Sequence, residues 1–126
     1  MKVITFLRHS KSSWDIDLLD IHRPLSSIGI EKIKKIAKLS KDHFSSSEII
    51  FTSSANRAIY TSVLLSKSLS LDFNKIKICE ELYTFNYYDV FNFIKKIDNS
   101  YSEIILVGHN PAFTEISNFF SENKII

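Results

Sequence analysis

The chain has 126 residues, of which 44% are hydrophobic and 24% charged, a composition typical of a globular protein that buries a core. We predict a single domain spanning residues 1–126. The formal net charge is only +2, and the lysines are spread along the chain instead of forming a dense basic block. Neither DNA nor RNA is therefore an expected partner.

The expected location follows from the single cysteine and from the short apolar runs. Cys79 has no second cysteine with which to form an intramolecular disulfide, which fits a reducing compartment. The apolar stretch before Arg8 is too short for a signal-peptide core, and no run approaches the ~20 residues that cross a bilayer. We expect a cytoplasmic protein that is not bound to a membrane.

The first predicted elements are a strand, a loop and a helix. Val3–Leu7 is apolar and rich in β-formers, so we predict a strand that is buried on both faces. Trp14–Leu25 has no clear period, which indicates a loop. Ser26 or Ser27 can cap the helix that follows. Its apolar positions are Ile30, Ile33, Ile36, Ala37 and Phe44.

A second strand–helix pair and a third strand occupy the middle of the chain. Glu48–Thr52 is a short apolar run that predicts a strand. Ala55–Ser70 has a helical apolar stripe, with Ser54 as its predicted N-cap. Lys75–Glu80 alternates apolar and polar residues, which favours a strand nearer the edge of a sheet.

The last predicted elements are a helix, a central strand and a final helix. Tyr87–Ile97 has the spacing of an amphipathic helix, and Glu103–Val107 is apolar enough for the middle of a sheet. Asn110 is the predicted N-cap of the final helix, and Pro111 its first residue. Strand and helix thus alternate four times, which predicts a three-layer α/β/α fold with a mostly parallel central sheet.

Residues able to bind phosphate follow the predicted strands. Arg8 and His9 come after the first strand, Arg57 after the second and His109 after the fourth. The carboxyl ends of parallel strands share one edge of a sheet, so we expect these side chains to meet there. Guanidinium groups match phosphate oxygens, and a neutral imidazole is a competent nucleophile. Because the chain has only two glycines, dinucleotide and Walker-type phosphate loops are excluded.

Three segments carry a resemblance to a known family. Leu7-Arg8-His9-Ser10-Lys11-Ser12 resembles the signature of the histidine phosphatase superfamily, and Thr52–Ala58 and Val107–Pro111 resemble two further segments of that family. Arg23-Pro24-Leu25-Ser26, followed by Gly29, is similar to the SixA-like phosphohistidine phosphatase branch. The resemblance implies a phosphoglycerate mutase-like fold, here lacking the last carboxyl-terminal strand or strands.

The resemblance also implies a catalytic role for four of these residues. His9 would be the nucleophile that becomes a phosphohistidine, which water then hydrolyses. Arg8 and Arg57 would bind the phosphoryl oxygens, and a cationic His109 would stabilise the charge of the transition state. The resemblance implies no metal and no cofactor.

Further contacts and a substrate class follow from the same resemblance. Ser10 and Arg23 would make additional phosphate or substrate contacts, although Arg23 is equally well explained as an exposed loop residue. Thr84 stands where relatives that act on phosphate esters commonly carry a glutamic acid, and Glu80 or Glu81 is an alternative acid. An imidazole leaving group depends less on such an acid than an alkoxide does. This favours phosphohistidine on a His-containing phosphotransfer protein as substrate.

The sequence leaves two alternative functions and one possible partner open. The chain could act on a small phosphate compound, as a phosphomonoesterase or mutase, or it could be a non-catalytic phosphate-binding module. Without a final strand, one edge of the sheet would be exposed, which favours a homodimer through that edge.

Overall fold

The computed structural model describes residues 2–14 and 17–123 and confirms the predicted α/β class, with helices on both faces of a parallel sheet. The strands pair in the order β1-β4-β2-β3, and every pairing is parallel. These strands are β1 (Val3–Arg8), β2 (Ile49–Thr52), β3 (Ile76–Ile78) and β4 (Glu103–Gly108). The helices within the described residues are α1 (Ser27–Leu39), α2 (Lys41–Phe44), α3 (Asn56–Leu69), α4 (Tyr87–Lys95) and α5 (Ala112–Asn123).

The central strand β4 divides the hydrophobic core into two halves. Ile104 and Leu106 pack with residues of α4 and α5 on one face of the sheet, while Ile105 and Val107 pack with residues of α1 and α3 on the other. Side chains of a strand alternate between its two faces, so an unbroken apolar strand needs cover on both. The predicted central position of this strand is therefore confirmed.

The prediction that the first strand is buried on both faces is wrong. Within the described residues β1 pairs only with β4, so it lies at an edge of the sheet, as β3 does at the other edge. Val3 and Arg8 are exposed and the residues between them are half-buried. Apolar composition does not report strand order, which sets this burial. The predicted absence of a final strand concerns residues 121–126, of which 124–126 lie outside the described residues. Dimerisation through an exposed edge of the sheet stays a prediction.

Several boundaries differ from those predicted because local hydrogen bonds end the elements. The backbone leaves the helical conformation at Ser40, so Phe44 reaches the core from α2 and not from α1. Ser54 does not cap α3; the N-cap position is Ala55, whose N–H donates to the Ser53 hydroxyl. Glu80 belongs to a single 3-10 turn and not to β3.

The predicted cap of α1 is confirmed, whereas the predicted cap of α5 is displaced by one residue. The Ser26 hydroxyl accepts a hydrogen bond from the Gly29 N–H, as an N-cap does. The Asn110 side-chain oxygen accepts one from the Thr114 N–H, and α5 starts at Ala112, one residue later than predicted.

The start of α1 is fastened to the loop that follows β1. The Lys11 carbonyl accepts hydrogen bonds from the N–H and the hydroxyl of Ser26, and the Ser13 N–H donates to the Pro24 carbonyl. A Cβ atom on Gly29 would lie 2.1 Å from the Lys11 oxygen, so only glycine permits this approach. The Arg-Pro-Leu-Ser segment with Gly29 therefore fixes the loop that carries His9.

No helix within the described part of the chain combines the length and the apolar character needed to cross a membrane.

Candidate active site

A cleft of about 680 Å³ lies beside the carboxyl ends of the strands, where the sequence predicted that phosphate-binding residues would meet. Arg8, His9 and Arg57 line it. His109 follows β4 and its ring centroid lies 5.0 Å from that of His9. The remaining residues that line the cleft are Ser10, Lys11, Ser12, Trp14, Asp20, Lys32, Ile33, Ile36, Phe85 and Asn110.

His9 is held with one imidazole nitrogen tied to the backbone. The backbone N–H of His9 donates to the Gly108 carbonyl at 3.0 Å, which continues the pairing of β1 with β4. Its Nδ1 lies 2.6 Å from the Ser10 carbonyl, and because a carbonyl only accepts, we assign the proton to Nδ1. Nε2 is then an unprotonated acceptor, and it receives a hydrogen bond of 3.3 Å from the Arg57 Nε. Burial, together with the charges of Arg57 and Arg8, lowers the pKa of His9 and favours the neutral ring.

Arg57 is a buried cation in the first turn of α3, with only 4% of its surface exposed. Besides its bond to His9, it donates to the Asp20 carbonyl at 2.6 Å and to the Asp20 carboxylate at 2.9 Å. That carboxylate oxygen also accepts a hydrogen bond of 2.6 Å from the Tyr83 hydroxyl. Although desolvation raises the pKa of Asp20, the bonds from Tyr83 and Arg57 outweigh it, so the pKa lies below its ordinary value.

His109 is almost fully buried, at 1% exposure, and one of its nitrogens lacks a partner. Nε2 lies 2.7 Å from the Ser53 hydroxyl, whereas Nδ1 has no hydrogen-bond partner among the described residues. The rings of Tyr83 and Phe85 enclose it, with centroids 5.6 and 5.5 Å away. Burial, followed by the charges of His9 and Arg57, lowers the pKa of His109 to about 3.

In the unliganded cleft this low pKa favours the neutral ring of His109, whereas the cationic His109 expected in the transition state stays a prediction. The sequence placed this histidine after a buried strand but did not reveal that two other basic side chains would share its enclosure. Desolvation and like charges both act against protonation of an imidazole.

The buried neutral state of His109 predicts that acid destabilises the protein. An unfolded histidine binds a proton near pH 6.5, whereas His109 in the folded chain does so only near pH 3. Between these values the unfolded state holds more protons, so stability falls as the pH falls, by up to about 1 kcal/mol per pH unit. Thermal unfolding between pH 7 and pH 4 measures this. The variant His109→Gln, which cannot titrate, should show a shallower fall, and an equally steep fall would contradict the assignment.

Ser10 and Arg23 are placed differently from Arg8 and Arg57. Ser10 lines the cleft, but its N–H donates to the Thr61 hydroxyl and its own hydroxyl donates to the Gly29 carbonyl. Both of its donors are thus used within the protein. Arg23 stacks on Trp14, with its guanidinium carbon 3.9 Å from the ring centroid, and it is not among the residues that line the cleft.

The three residues considered for a general acid all lie away from the cleft. The Thr84 hydroxyl donates to the Asp89 carboxylate at 2.6 Å, and Glu80 and Glu81 are exposed and line a separate depression. The acidic side chain that lines the cleft, among the described residues, is Asp20.

Sequence reasoning missed the contribution of Asp20, Tyr83 and Ser53. Asp20 lies in the aperiodic loop predicted from Trp14 to Leu25, of which residues 15 and 16 lie outside the described residues. The signal in the sequence that could have pointed to Asp20 was its position three residues before Arg23-Pro24. Within residues 2–14 and 17–123, no group of three or more His, Cys, Asp or Glu side chains could hold a metal ion.

Comparison with known proteins identifies the fold. No protein-family model and no curated protein sequence matches the chain. Among solved structures, a candidate phosphohistidine phosphatase SixA from Agrobacterium tumefaciens matches with a TM-score of 0.81 and 24% identity, over 96% of this chain and 78% of that one. The protein histidine phosphatase SixA in complex with tungstate matches with a TM-score of 0.78 and 20% identity, over 90% and 73% of the two chains.

A further match extends the similarity beyond SixA. A candidate α-ribazole-5'-phosphate phosphatase from Escherichia coli has a TM-score of 0.73 and 18% identity, over 93% of this chain and 78% of that one. The predicted phosphoglycerate mutase-like fold, and with it the resemblance to histidine phosphatases, is confirmed at the level of the fold.

Proposed function

We propose that this chain is a phosphatase that hydrolyses phosphohistidine on a phosphotransfer protein, through a covalent phosphohistidine on its own His9. The observation that carries this proposal is the state of the His9 ring. Nδ1 is tied to the Ser10 carbonyl at 2.6 Å, so the unprotonated Nε2 is available as a nucleophile. The fold similarity to the two SixA structures supports the same chemistry.

In the first step, the Nε2 lone pair attacks phosphorus and the bond from phosphorus to the substrate imidazole breaks. The leaving imidazole departs as a neutral ring when its other nitrogen already carries a proton. In the second step, water attacks the phosphoryl group on His9, the phosphorus–Nε2 bond breaks and inorganic phosphate is released. One water is consumed, and its second proton remains on the phosphate or passes to solvent.

Arg57 and Arg8 bind the phosphoryl oxygens in this proposal. A guanidinium has five N–H groups, and Arg57 uses three of them, one toward His9 and two toward Asp20. The other two remain for phosphoryl oxygens. When Nε2 attacks phosphorus its lone pair forms the new bond, so the Arg57 Nε–H bond to His9 breaks and this N–H also becomes free to donate to a phosphoryl oxygen. Arg8 is exposed and lines the cleft, where it can approach the phosphoryl group from the solvent side.

A neutral His109 donates a hydrogen bond to the phosphoryl group through Nδ1. The Ser53 hydroxyl accepts from the Ala55 N–H, and in this proposal it donates its own proton to His109 Nε2. The ring proton then resides on Nδ1, the atom that lacks a partner. A buried donor without a partner costs about 1–3 kcal/mol, so a phosphoryl oxygen that accepts from it is favoured. The dianionic group also raises the pKa of His109 while it is bound.

The preference for phosphohistidine over esters rests on the absence of a positioned acid among the described residues of the cleft. Asp20 lines the cleft, but its lowered pKa keeps it ionised at neutral pH, and Thr84, Glu80 and Glu81 lie elsewhere. An alkoxide leaving group without a proton donor loses about 10²–10⁴-fold in rate. An imidazole leaving group does not need that donor.

A protein substrate is supported by the rim of the cleft. Trp14 is 68% exposed and Phe85 is 50% exposed, and both line the cleft beside the exposed Lys11 and Lys32. Aromatic and cationic side chains of this kind suit the surface of an anionic phosphoprotein. In this proposal Arg23 acts as a substrate contact by supporting Trp14, and Ser10 positions the phosphate-binding loop.

Comparison of three substrates tests the proposed specificity. We expect kcat/KM for a phosphorylated His-containing phosphotransfer domain and for phosphoramidate to exceed that for sugar phosphates, whose alkoxide leaving group needs a proton donor, by about 100-fold or more. Faster turnover of the esters would instead identify a phosphomonoesterase or mutase. Binding of inorganic phosphate without turnover of any substrate would identify a non-catalytic binding module.

A further inference from the structure

We infer that Asp20 is a positioning residue, which holds the Arg57 guanidinium against His9 while Tyr83 fixes the Asp20 carboxylate. The hydrogen-bond geometry stands on its own, whereas the effect on turnover rests on the phosphatase function proposed above. Asp20 contacts neither Nε2 of His9 nor a substrate in this account, and it acts through Arg57.

The contacts of Arg57 define its position at three points. Nε donates to His9 at 3.3 Å, and the two terminal nitrogens donate to the carbonyl and the carboxylate of Asp20 at 2.6 and 2.9 Å. A planar guanidinium bound at three of its nitrogens cannot rotate without breaking at least one bond. One residue, Asp20, supplies both contacts on the side away from His9.

Burial makes these contacts necessary. Arg57 is 4% exposed, so water does not solvate its charge, and a buried cation needs an anion and good hydrogen bonds nearby. The described residues give Arg57 one ion pair, with Asp20. The Asp20 side chain is 45% exposed, so the anion stands between the buried guanidinium and solvent.

Tyr83 fixes the carboxylate from a separate part of the chain. Its hydroxyl donates to the same Asp20 oxygen that Arg57 contacts, at 2.6 Å. Tyr83 follows the 3-10 turn Glu80–Leu82, whereas Arg57 belongs to α3 and Asp20 begins the turn Asp20–His22. The network therefore joins three segments of the chain, and Arg57 connects it to His9.

Two other roles for Asp20 fit these observations less well. A general acid must carry a proton, but the Asp20 carboxylate accepts from two donors, and its pKa lies below the ordinary value. An anion that merely occupied the phosphate position would have to leave before substrate bound. Arg57 retains two N–H groups beyond those that Asp20 and His9 occupy, so a phosphoryl group and Asp20 can bind it together.

The first test measures the Arg57 side chain directly and does not depend on activity. In the wild type, the Arg57 Nε–H proton should give a resolved NMR signal that exchanges slowly with water. Asp20→Ala should accelerate that exchange at least 10-fold, and Tyr83→Phe should have a smaller effect in the same direction. Asp17→Asn, which changes an exposed aspartate of the same segment, is the matched control and should leave the signal unchanged. Unchanged exchange in Asp20→Ala would overturn the inference.

The second test separates positioning from binding in the hydrolysis of phosphoramidate. Because a misplacement of about 1 Å can cost ~10²-fold in rate, Asp20→Ala should lower kcat about 100-fold while KM changes by less than about 3-fold. Asp20→Glu, which keeps the charge, should recover part of kcat. Tighter binding of inorganic phosphate with an unchanged kcat would show that Asp20 is a competing anion and overturn the inference. If the wild type hydrolysed no substrate, the proposed function would fail while the NMR test still decided the role of Asp20.

Discussion

Replacement of His9 by alanine is expected to lower the hydrolysis of phosphoramidate by about 10⁴-fold or more, the scale on which loss of a covalent nucleophile acts in other enzymes. The reason is that no other side chain among the described residues of the cleft combines an unprotonated nitrogen with a contact to Arg57. Steady-state release of inorganic phosphate measures the effect. His22→Ala, which removes an exposed histidine from the neighbouring loop, should retain wild-type turnover.

If His9→Ala retained more than about one percent of the wild-type activity, His9 would not be the nucleophile. Electrostatic stabilisation without a nucleophile leaves a much smaller residual activity. Thermal unfolding of the variant provides the check on folding. His9 is only half-buried, and Arg57 keeps both of its bonds to Asp20 when the ring is removed, so the unfolding temperature should change little.

The second large effect is expected at Arg57, where even lysine should lower kcat about 10³-fold. A lysine has a single nitrogen on a flexible stem, so it cannot contact Nε2 of His9 and both Asp20 oxygens at once. The negative charge of the phosphoryl group in the transition state would then be opposed by an ammonium group that is not held in a fixed position. Phosphoramidate hydrolysis by Arg57→Lys measures the loss, and Lys67→Arg on the exposed face of α3 is the matched control.

Full activity in Arg57→Lys would contradict a role for the guanidinium geometry and reduce Arg57 to a source of charge. A loss of only about 10-fold in kcat with normal phosphate binding would also contradict this role. A cation that is held in the wrong position should slow the chemical step more than it weakens phosphate binding.

The elements that carry the site could be predicted because strong local patterns specify them. Apolar strands such as Glu103–Gly108 and the periodic stripe of Asn56–Leu69 place His109 and Arg57 at strand ends regardless of how the loops fold. The rule that parallel strands end at one edge of the sheet then brings these residues to Arg8 and His9. Four side chains from three separate segments of the sequence could be assigned to one site for this reason.

The details of the site could not be predicted, because they depend on loops and on burial. The contact of Asp20 with Arg57 and Tyr83 is formed by an aperiodic segment whose path no apolar pattern records. The neutral state of His109 depends on its enclosure by neighbouring rings and on the proximity of His9, which are properties of the folded chain. The exposure of β1 depends in the same way on strand order, which composition alone does not give.

The central claim is that His9 carries the phosphoryl group during turnover, and a trapping experiment tests it most directly. Wild-type protein is quenched within milliseconds to seconds of mixing with labelled phosphoramidate or with a phosphorylated His-containing phosphotransfer domain, and the label is located by mass spectrometry. The account predicts an acid-labile, base-stable label on His9 that is absent from His9→Ala. Release of phosphate without any label on the wild-type protein, or a label on a residue other than His9, would contradict it.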